Sequence, residues 1–246
     1  MDNIEEQFKD TIFLDPQHLI PDVSVSYDLN HIRQFQGIVL GRPGSGKTQV
    51  ANWLAAQLCE KYGRDRVNAV WSRSIDGLLS GIRGTLVNLL VLDDLTLIKT
   101  SSNDLANLFR IRHIIQAKTG SSYGLVILLL GLHRFFGCDP SIRTNFDFLA
   151  FRSAPTNQFD RNFTKGYIRK QGVDLLSKLE MQRLKDSSLF PVTGIWLKGT
   201  GSGYINTPLQ RLDYLRKVEN GLGVPSQDSV RSWEEIYARF RRGYDV

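Results

Sequence analysis

Residues 41–48 read "GRPGSGKT", and this stretch decides the fold of the chain. It lies between the apolar run "GIVL" (37–40) and the helix-like "QVANWLAAQL" (49–58). It fits the pattern G-x-x-x-x-G-K-[ST], in which bare backbone N–H groups converge on phosphate oxygens at a helix N-terminus. The stretch therefore predicts a phosphate-binding loop between a strand and a helix. Its binding residues are Gly41, Arg42, Pro43, Gly44, Ser45, Gly46, Lys47, Thr48 and Gln49.

The last residues of the pattern indicate the chemistry of the ligand. The lysine of such a loop reaches the β- and γ-phosphates, so Lys47 is a predicted catalytic residue, and the Thr48 hydroxyl is a predicted ligand of Mg²⁺. Lys47 is expected to face solvent until a phosphate covers it. The chain contains no guanine-reading "NKxD" stretch, so ATP with Mg²⁺ is the predicted cofactor rather than GTP.

A second acidic site follows about fifty residues later, in "NLLVLDDL" (88–95). Asp93 ends an apolar strand and is predicted to hold the metal ion, whereas Asp94 is placed to orient or activate the attacking water. The alternative is that both aspartates only cap the following loop, where aspartate is common.

The remaining pattern predicts an α/β fold. Apolar runs at 36–40, 67–71, 86–94, 124–130 and 146–151 alternate with helical patterns at 47–63, 74–82 and 101–120, which indicates a mostly parallel sheet flanked by helices. We divide the chain into an irregular lead-in (1–33), an ATPase core (34–155) and a C-terminal extension completing the domain (156–246). In the extension we expect a helix over 163–188, a last strand, a flexible "GTGSG" connection (199–203) and an amphipathic helix over 229–243.

Composition narrows the class of protein. Lys plus Arg exceed Asp plus Glu by 31 to 25, a net charge of +6 that favours polyanionic partners only weakly. Cys59 and Cys138 match no disulfide framework or metal spacing and are predicted to be buried thiols of an intracellular protein. The first ten residues do not resemble a signal peptide, and the apolar run at 125–132 is too short to span a membrane. We therefore expect a cytoplasmic protein without membrane insertion.

The order of these motifs resembles that of a known family over residues 35–152. The loop, "LLVLDD", the "RH" of the next helix, and then "GLVILLLGLHRFFGCDPSIRTNFDFLAFR" are similar to the FtsK/HerA superfamily of ring-forming, DNA-pumping ATPases. The chain is most similar to the small genome-packaging ATPases of membrane-containing double-stranded DNA viruses. Their pattern before the last core strand is represented here by Pro140, Ile142, Arg143, Asn145 and Asp147.

This resemblance implies a P-loop NTPase fold of the RecA/ASCE type and ATP hydrolysis coupled to DNA translocation. It implies double-stranded DNA bound through its phosphates, a homo-oligomeric ring with a hexamer favoured, and capsid or other viral proteins as further partners in a host cytoplasm. Two positions depart from the family pattern. The second carboxylate is Asp94 where the family usually has Glu, and His133 stands where the family usually has a polar sensor, often Gln.

Ring ATPases complete their site with an arginine of the neighbouring subunit, and the resemblance offers Arg112 and Arg143 as candidates. Each of them fits equally well as a salt-bridged or solvated arginine, and His133 fits as an ordinary partly exposed histidine. Lys47 is the one cation that the sequence itself places at the site.

Two other classes of function remain open at this point. An AAA+ ATPase of the replication-initiator or helicase-loader type shares both motifs, and residues 160–188 would then form its helical lid. A nucleotide-gated binding switch would use hydrolysis only to exchange partners. DNA-stimulated turnover by a ring distinguishes the motor from the switch, and the absence of a lid domain distinguishes the motor from the AAA+ class.

Overall fold

The fold is described from a computed structural model, which covers residues 14–15, 19–23, 31–93, 102–155, 157–168, 170–185, 192–199, 201–208 and 214–218. Asp94 and the helix expected over 229–243 lie outside these residues. The described part is built on one sheet with the strand order β7-β6-β5-β1-β4-β3-β2-β8. The strands are β1 (Ile32–Leu40), β2 (Val67–Ser72), β3 (Val87–Leu92), β4 (Gly124–Leu132), β5 (Phe148–Phe151), β6 (Val192–Leu197), β7 (Gly201–Asn206) and β8 (Arg216–Lys217).

The sheet is mostly parallel. Strands β8, β2, β3, β4, β1 and β5 pair in parallel, and β6 and β7 add an antiparallel hairpin at the β5 edge. The helices are α1 (Lys47–Tyr62), α2 (Ile75–Ser80), α3 (Ser102–Phe109), α4 (Ile111–Thr119), α5 (Pro140–Thr144), α6 (Gln158–Tyr167) and α7 (Lys170–Lys185). The predicted α/β fold with a mostly parallel, helix-flanked sheet is thus confirmed.

Each face of the sheet carries its own hydrophobic core, because alternate side chains of a strand point to opposite faces. In β1, Ile38 and Leu40 join the core covered by α2 to α7, whereas Val39 joins the core covered by α1. The segment 19–23 packs into the α1 core as well. The central strands are therefore apolar on both faces, as expected for parallel strands covered on both sides.

Three details differ from the sequence-based expectations. The first strand begins at Ile32 instead of Gln36. The single helix expected over 101–120 is divided at Arg110, whose φ of −96° and ψ of 12° leave the helical region, so that α3 ends and α4 begins there. The "GTGSG" stretch is not a free connection, because Gly201 already pairs with Leu197 in the β6–β7 hairpin.

The extension after residue 156 contributes to the same sheet and the same core. The helix expected over 163–188 is two helices, α6 and α7, and buried Leu175 and Leu176 of α7 pack on the sheet together with Ile168, which lies between the helices. A methyl group on Gly194 of β6 would lie 2.7 Å from Leu179 Cδ1, so α7 lies directly on this strand. These helices therefore cover the sheet and do not form a separate unit within the described residues.

Candidate nucleotide site

The glycine loop connects the end of β1 at Leu40 to the start of α1 at Lys47, as the motif predicts. Gly44 and Gly46 have φ angles of 73° and 87°, in the left-handed region that favours glycine. The first backbone N–H groups of α1 have no partner inside the helix, and the helix dipole makes this end positive. The loop therefore has the backbone geometry of an anion-binding site.

Lys47 is held inside the loop. Its side chain is only 8% exposed, and Nζ donates hydrogen bonds to the carbonyl oxygens of Gly41 at 3.1 Å and Arg42 at 3.3 Å. The expectation that Lys47 faces solvent is wrong, because these carbonyl groups hold the ammonium against the loop. In this position the ammonium can exchange its carbonyl acceptors for the oxygens of a phosphate bound in the loop.

His133 lies next to Lys47, directly after β4. Its Nδ1 is 3.1 Å from Lys47 Nζ and 3.2 Å from the Gly41 carbonyl oxygen. The two contacts need different tautomers, because Nδ1 donates to the carbonyl only when it carries hydrogen and accepts from the ammonium only when it does not. The imidazole thus contacts both the lysine and the backbone of the loop. Its role as a sensor stays a prediction.

Thr48 and Asp93 lie together on the other side of the loop. Thr48 Oγ1 donates to Asp93 Oδ2 at 3.3 Å, and the backbone N–H of Asp93 is fixed by the Ser72 carbonyl at 3.0 Å. A hydroxyl and one carboxylate are hard oxygen ligands of the kind that Mg²⁺ uses when phosphates and water supply the others. The described residues contain no cluster of three or more acidic, histidine or cysteine ligands, so a metal held by protein alone does not fit them. The pair therefore fits Mg²⁺ bound together with a nucleotide.

Gly131 of β4 makes room for the Asp93 carboxylate. A Cβ built on Gly131 would lie 2.5 Å from Asp93 Oδ1, closer than real contacts allow. Sequence reasoning missed this residue, because the neighbourhood of Gly131 and Asp93 depends on β4 lying beside β3. The only signal in the sequence is a glycine that interrupts the apolar run "LVILLLGL".

Arg152, which follows β5, supports the loop from outside and was also missed. Its Nε donates to the Ser45 carbonyl at 3.0 Å, while Nη1 bonds the Val192 carbonyl at 2.9 Å and the hydroxyls of Thr193 and Thr207 at 3.0 and 3.3 Å. Burial lowers the pKa of the Arg152 guanidinium to about 10. The guanidinium thus joins the glycine loop to the β6–β7 hairpin. In the sequence, the signal for this supporting role is an arginine placed directly after a buried strand.

Other loop residues are fixed by the fold. The backbone N–H of Arg42 donates to Ser153 Oγ at 3.1 Å. Gln49 is 1% exposed, and its Nε2 donates to the Pro208 carbonyl at 3.3 Å, so its side chain serves the packing of the loop against the end of β7. Pro43 and Gly44 are exposed at the tip of the loop. Whether each of these residues contacts a nucleotide stays a prediction.

The two candidate arginines have different surroundings. Arg143 is 8% exposed, and its guanidinium carbon lies 4.7 Å from the ring centre of Phe163 and 5.9 Å from that of Tyr167. Arg112 is exposed on α4. Both remain predictions as residues acting on a neighbouring subunit, but the exposure of Arg112 suits that role better than the burial of Arg143 in its own chain.

The "PSIRTNFD" segment (140–147) has structural contacts throughout. The Asp139 carboxylate caps α5 by accepting from Ser141 N, Pro140 is the first helical residue, and Ile142 is buried. Asp147 Oδ2 accepts from the Gln36 backbone N–H at 2.7 Å. Burial raises the pKa of the Asp147 carboxyl, although the hydrogen bond from Gln36 opposes this shift. The segment therefore positions β5 against β1.

With this geometry in place, the chain was compared with known proteins. A family model for RNA helicase matches residues 38–118, well under half of the chain, which include the glycine loop and Asp93. A comparison with curated proteins finds no match. None of the helices in the described part of the chain has the length and apolar character of a membrane span.

Several solved structures match the chain over much of its length. The DNA-packaging ATPase B204 from Sulfolobus Turreted Icosahedral Virus is 10% identical with a TM-score of 0.48, and the match covers 72% of this chain and 98% of that chain. The genome packaging NTPase B204 from Sulfolobus turreted icosahedral virus 2, in complex with ATP-gammaS, is 11% identical with a TM-score of 0.47, covering 72% and 98%. The FIGL-1 AAA domain in complex with ADP is 16% identical with a TM-score of 0.32, covering 98% and 88%.

Proposed function

We propose that this chain hydrolyses ATP at the glycine loop and uses the energy to move double-stranded DNA, as a viral genome-packaging motor. One observation carries the ATPase part: Lys47, His133 and the Thr48–Asp93 pair meet at the carboxyl ends of three adjacent strands, around a loop built to bind anions. The DNA-packaging part rests on the resemblance of the sequence motifs to the FtsK/HerA superfamily.

Each residue of the site has a proposed task. The loop backbone and Lys47 bind the phosphate chain, with Lys47 stabilising charge on the γ-phosphate. Thr48 and Asp93 would hold Mg²⁺, which would neutralise negative charge on the bound phosphates. Asp94, which lies outside the described residues, orients and deprotonates the attacking water. His133 senses the nucleotide, since a phosphate that draws Lys47 away from the Gly41 carbonyl removes one of the contacts of Nδ1.

We assign the second cation that phosphoryl transfer needs to a neighbouring subunit. The Leu108 carbonyl, four residues before Arg112 and on the other side of the break at Arg110, accepts from Gln34 Nε2 near the start of β1. Gln34 is six residues before Leu40, about 20 Å along the strand. Arg112 therefore lies too far from its own loop, and we propose that it completes the site of the next subunit in a homo-oligomeric ring, a hexamer by resemblance. Arg143 is the second candidate for this role.

The proposed partners are double-stranded DNA, held through its phosphates, and capsid or other viral proteins, with the host cytoplasm as the place of action. An AAA+ initiator or loader is the alternative. That class would use residues 160–188 as a lid, but Ile168, Leu175 and Leu176 belong to the core on the sheet. This packing favours the motor.

ATP turnover of Lys47→Met tests the proposal. Methionine keeps the buried stem of the side chain and removes only the charge, so we expect normal folding and a turnover reduced at least about 100-fold. Lys178→Met on the exposed face of α7 is the matched control and should keep wild-type turnover. Wild-type hydrolysis by Lys47→Met would refute the ATPase proposal, and an ATPase that double-stranded DNA does not stimulate would refute the motor.

Mixing variants tests the ring. Lys47→Met and Arg112→Ala are each expected to be inactive alone, whereas mixed rings contain sites with an intact loop from one chain and an intact arginine from the next. Partial recovery of turnover on mixing supports the composite site. Turnover per chain that is constant on dilution, with no recovery, would indicate a monomeric enzyme. The same mixing experiment with Arg143→Ala in place of Arg112→Ala decides between the two arginines.

A further inference from the structure

A cleft of about 450 Å³ lies at the outer edge of the sheet, where β2 pairs with β8. Three arginines line it: Arg64 from the turn before β2, Arg83 from the loop before β3, and Arg216 from β8. The other lining residues include Asn68 and Tyr214. None of the described residues that line the cleft is acidic. Three positive charges therefore converge on a cleft in which the described lining residues include no carboxylate.

Arg216 is fixed at the base of this cleft. Its Nη2 donates to the Gly81 carbonyl at 2.7 Å and to Asn68 Oδ1 at 3.3 Å, so the guanidinium is held in one orientation. Its Nε is buried and makes no hydrogen bond with any residue in the described part of the chain. Burial and the nearby charge of Arg83 both lower the pKa of Arg216. A fixed cation with a like-charged neighbour is stabilised by an anion.

Arg64 and Arg83 form the exposed rim of the cleft. The guanidinium carbon of Arg64 lies 5.4 Å from the ring centre of Tyr214, which restrains the side chain over the aromatic face. Asp65, the neighbour of Arg64 in the same turn, does not line the cleft. Guanidinium groups at the rim and base present several N–H donors, the arrangement that suits a phosphate.

We propose that this cleft is a second anion site, separate from the glycine loop, that binds a backbone phosphate of nucleic acid. Its volume of about 450 Å³ lies within the range of roughly 300–1,000 Å³ that is typical of ligand sites. Asn68 is four residues before Ser72, whose carbonyl fixes Asp93, so about 13 Å of strand separate the cleft from the metal pair. The choice of nucleic acid as the source of the phosphate rests on the proposed function, whereas the binding of phosphate rests on the arginines alone.

The test is duplex binding over a series of salt concentrations. The double variant Arg64→Gln/Arg83→Gln changes two exposed side chains and should melt at the wild-type temperature. For a labelled duplex of random sequence, we expect the magnitude of the slope of log K against log salt to decrease by about 0.9, since the cleft holds one phosphate and each phosphate contact contributes about 0.9. Arg66→Gln/Lys178→Gln removes two charges outside the cleft and should leave the slope within about 0.3 of the wild type.

Pyrophosphate distinguishes the two sources of phosphate. Its binding is measured by calorimetry in the Lys47→Met background, in which the glycine loop is disabled. Loss of pyrophosphate binding in the double variant, with an unchanged duplex slope, would assign the cleft to free phosphate and overturn the nucleic-acid part. Unchanged binding of both ligands would overturn the proposal. Failure of the proposed ATPase would appear instead as wild-type turnover of Lys47→Met, so the two failures are distinguishable.

Discussion

Replacing Gly131 by alanine tests whether Asp93 acts from its observed position. A Cβ on Gly131 would lie 2.5 Å from Asp93 Oδ1 and 3.4 Å from Asp93 Cα. The closer atom is the end of a side chain, so rotation of the carboxylate relieves the clash without movement of β3 or β4. We therefore expect Gly131→Ala to fold normally and to lose activity.

The size of the effect follows from these distances. An ordinary contact between carbon and oxygen is about 3.4 Å, so Oδ1 has to move by roughly 1 Å. Oδ2 moves with it, and the hydrogen bond from Thr48 Oγ1, already 3.3 Å long, is lost. Mg²⁺ requires near-ideal octahedral geometry, and a misplacement of 1 Å costs about 100-fold in rate. We expect turnover to fall about 100-fold, with a loss of no more than about 1 kcal/mol in the free energy of unfolding.

The assay compares binding of a fluorescent ATP analogue in Mg²⁺ and in EDTA, together with thermal melting. Gly131→Ala should bind as the wild type in EDTA and should not gain affinity from Mg²⁺. Gly37→Ala in β1 is the control for an added methyl group in a buried strand. Its Cβ would lie 2.1 Å from Cζ of the buried Phe148 ring, so we expect a loss of about 3 kcal/mol in stability. Wild-type Mg²⁺ dependence and turnover of Gly131→Ala would refute the assignment of Asp93.

Three further predictions concern buried ionisable groups. Arg152→Met leaves the carbonyls that the guanidinium binds without these donors, so denaturant unfolding should show a loss of about 3 kcal/mol, and wild-type stability would contradict the proposed support of the loop. Burial raises the pKa of the Asp147 carboxyl, so the folded protein loses stability as the pH rises from the ordinary aspartate pKa to this raised pKa, and the loss persists at higher pH. Asp147→Asn should therefore melt at or above the wild type at neutral pH, and the difference should vanish in acid. Asp147→Ala should melt lower, because Gln36 N–H loses its acceptor. Burial raises the pKa of the Cys138 thiol to about 12. In the Cys59→Ser variant, a thiol reagent at pH 8 should therefore modify Cys138 about 1,000-fold more slowly than an ordinary thiol until the protein unfolds. Rapid labelling of the folded variant would contradict the burial of Cys138.

The sequence predicted the elements whose information is local. The glycine loop is encoded by consecutive residues, and its position between β1 and α1 follows from the apolar run before it and the helical spacing of Val50, Trp53, Leu54 and Leu58 after it. The N-cap of α2 is equally local, since Ser74 Oγ accepts from Gly77 N at 3.1 Å. Such patterns are readable because the interacting groups lie within one helical turn of each other.

Contacts between distant segments were not predictable in the same way. The proximity of Gly131 and His133 to the loop and to Asp93 requires β4 to lie between β1 and β3, and no local pattern specifies strand order. The hairpin bound by Arg152 was missed because glycine-rich "GTGSG" is typical of a flexible connection as well as of a turn. The burial of Lys47 was missed because the acceptors of its ammonium are backbone carbonyls, which the sequence does not distinguish.

The carbonyl contacts of Lys47 also determine the direction of the neighbouring N–H groups in the loop. In a planar trans peptide the C=O and the following N–H point in opposite directions. The Gly41 carbonyl faces Lys47 Nζ, and accordingly the Arg42 N–H points away, to Ser153 Oγ.

The same rule applies to the rest of the loop. The Ser45 carbonyl faces Arg152 outside the loop, so the Gly46 N–H points to the opposite side. The Arg42 carbonyl also accepts a hydrogen bond from Lys47. Because the next residue is Pro43, this peptide has no N–H group to be oriented. Lys47 and Arg152 thus orient the peptide groups of the loop through the carbonyls of Gly41, Arg42 and Ser45.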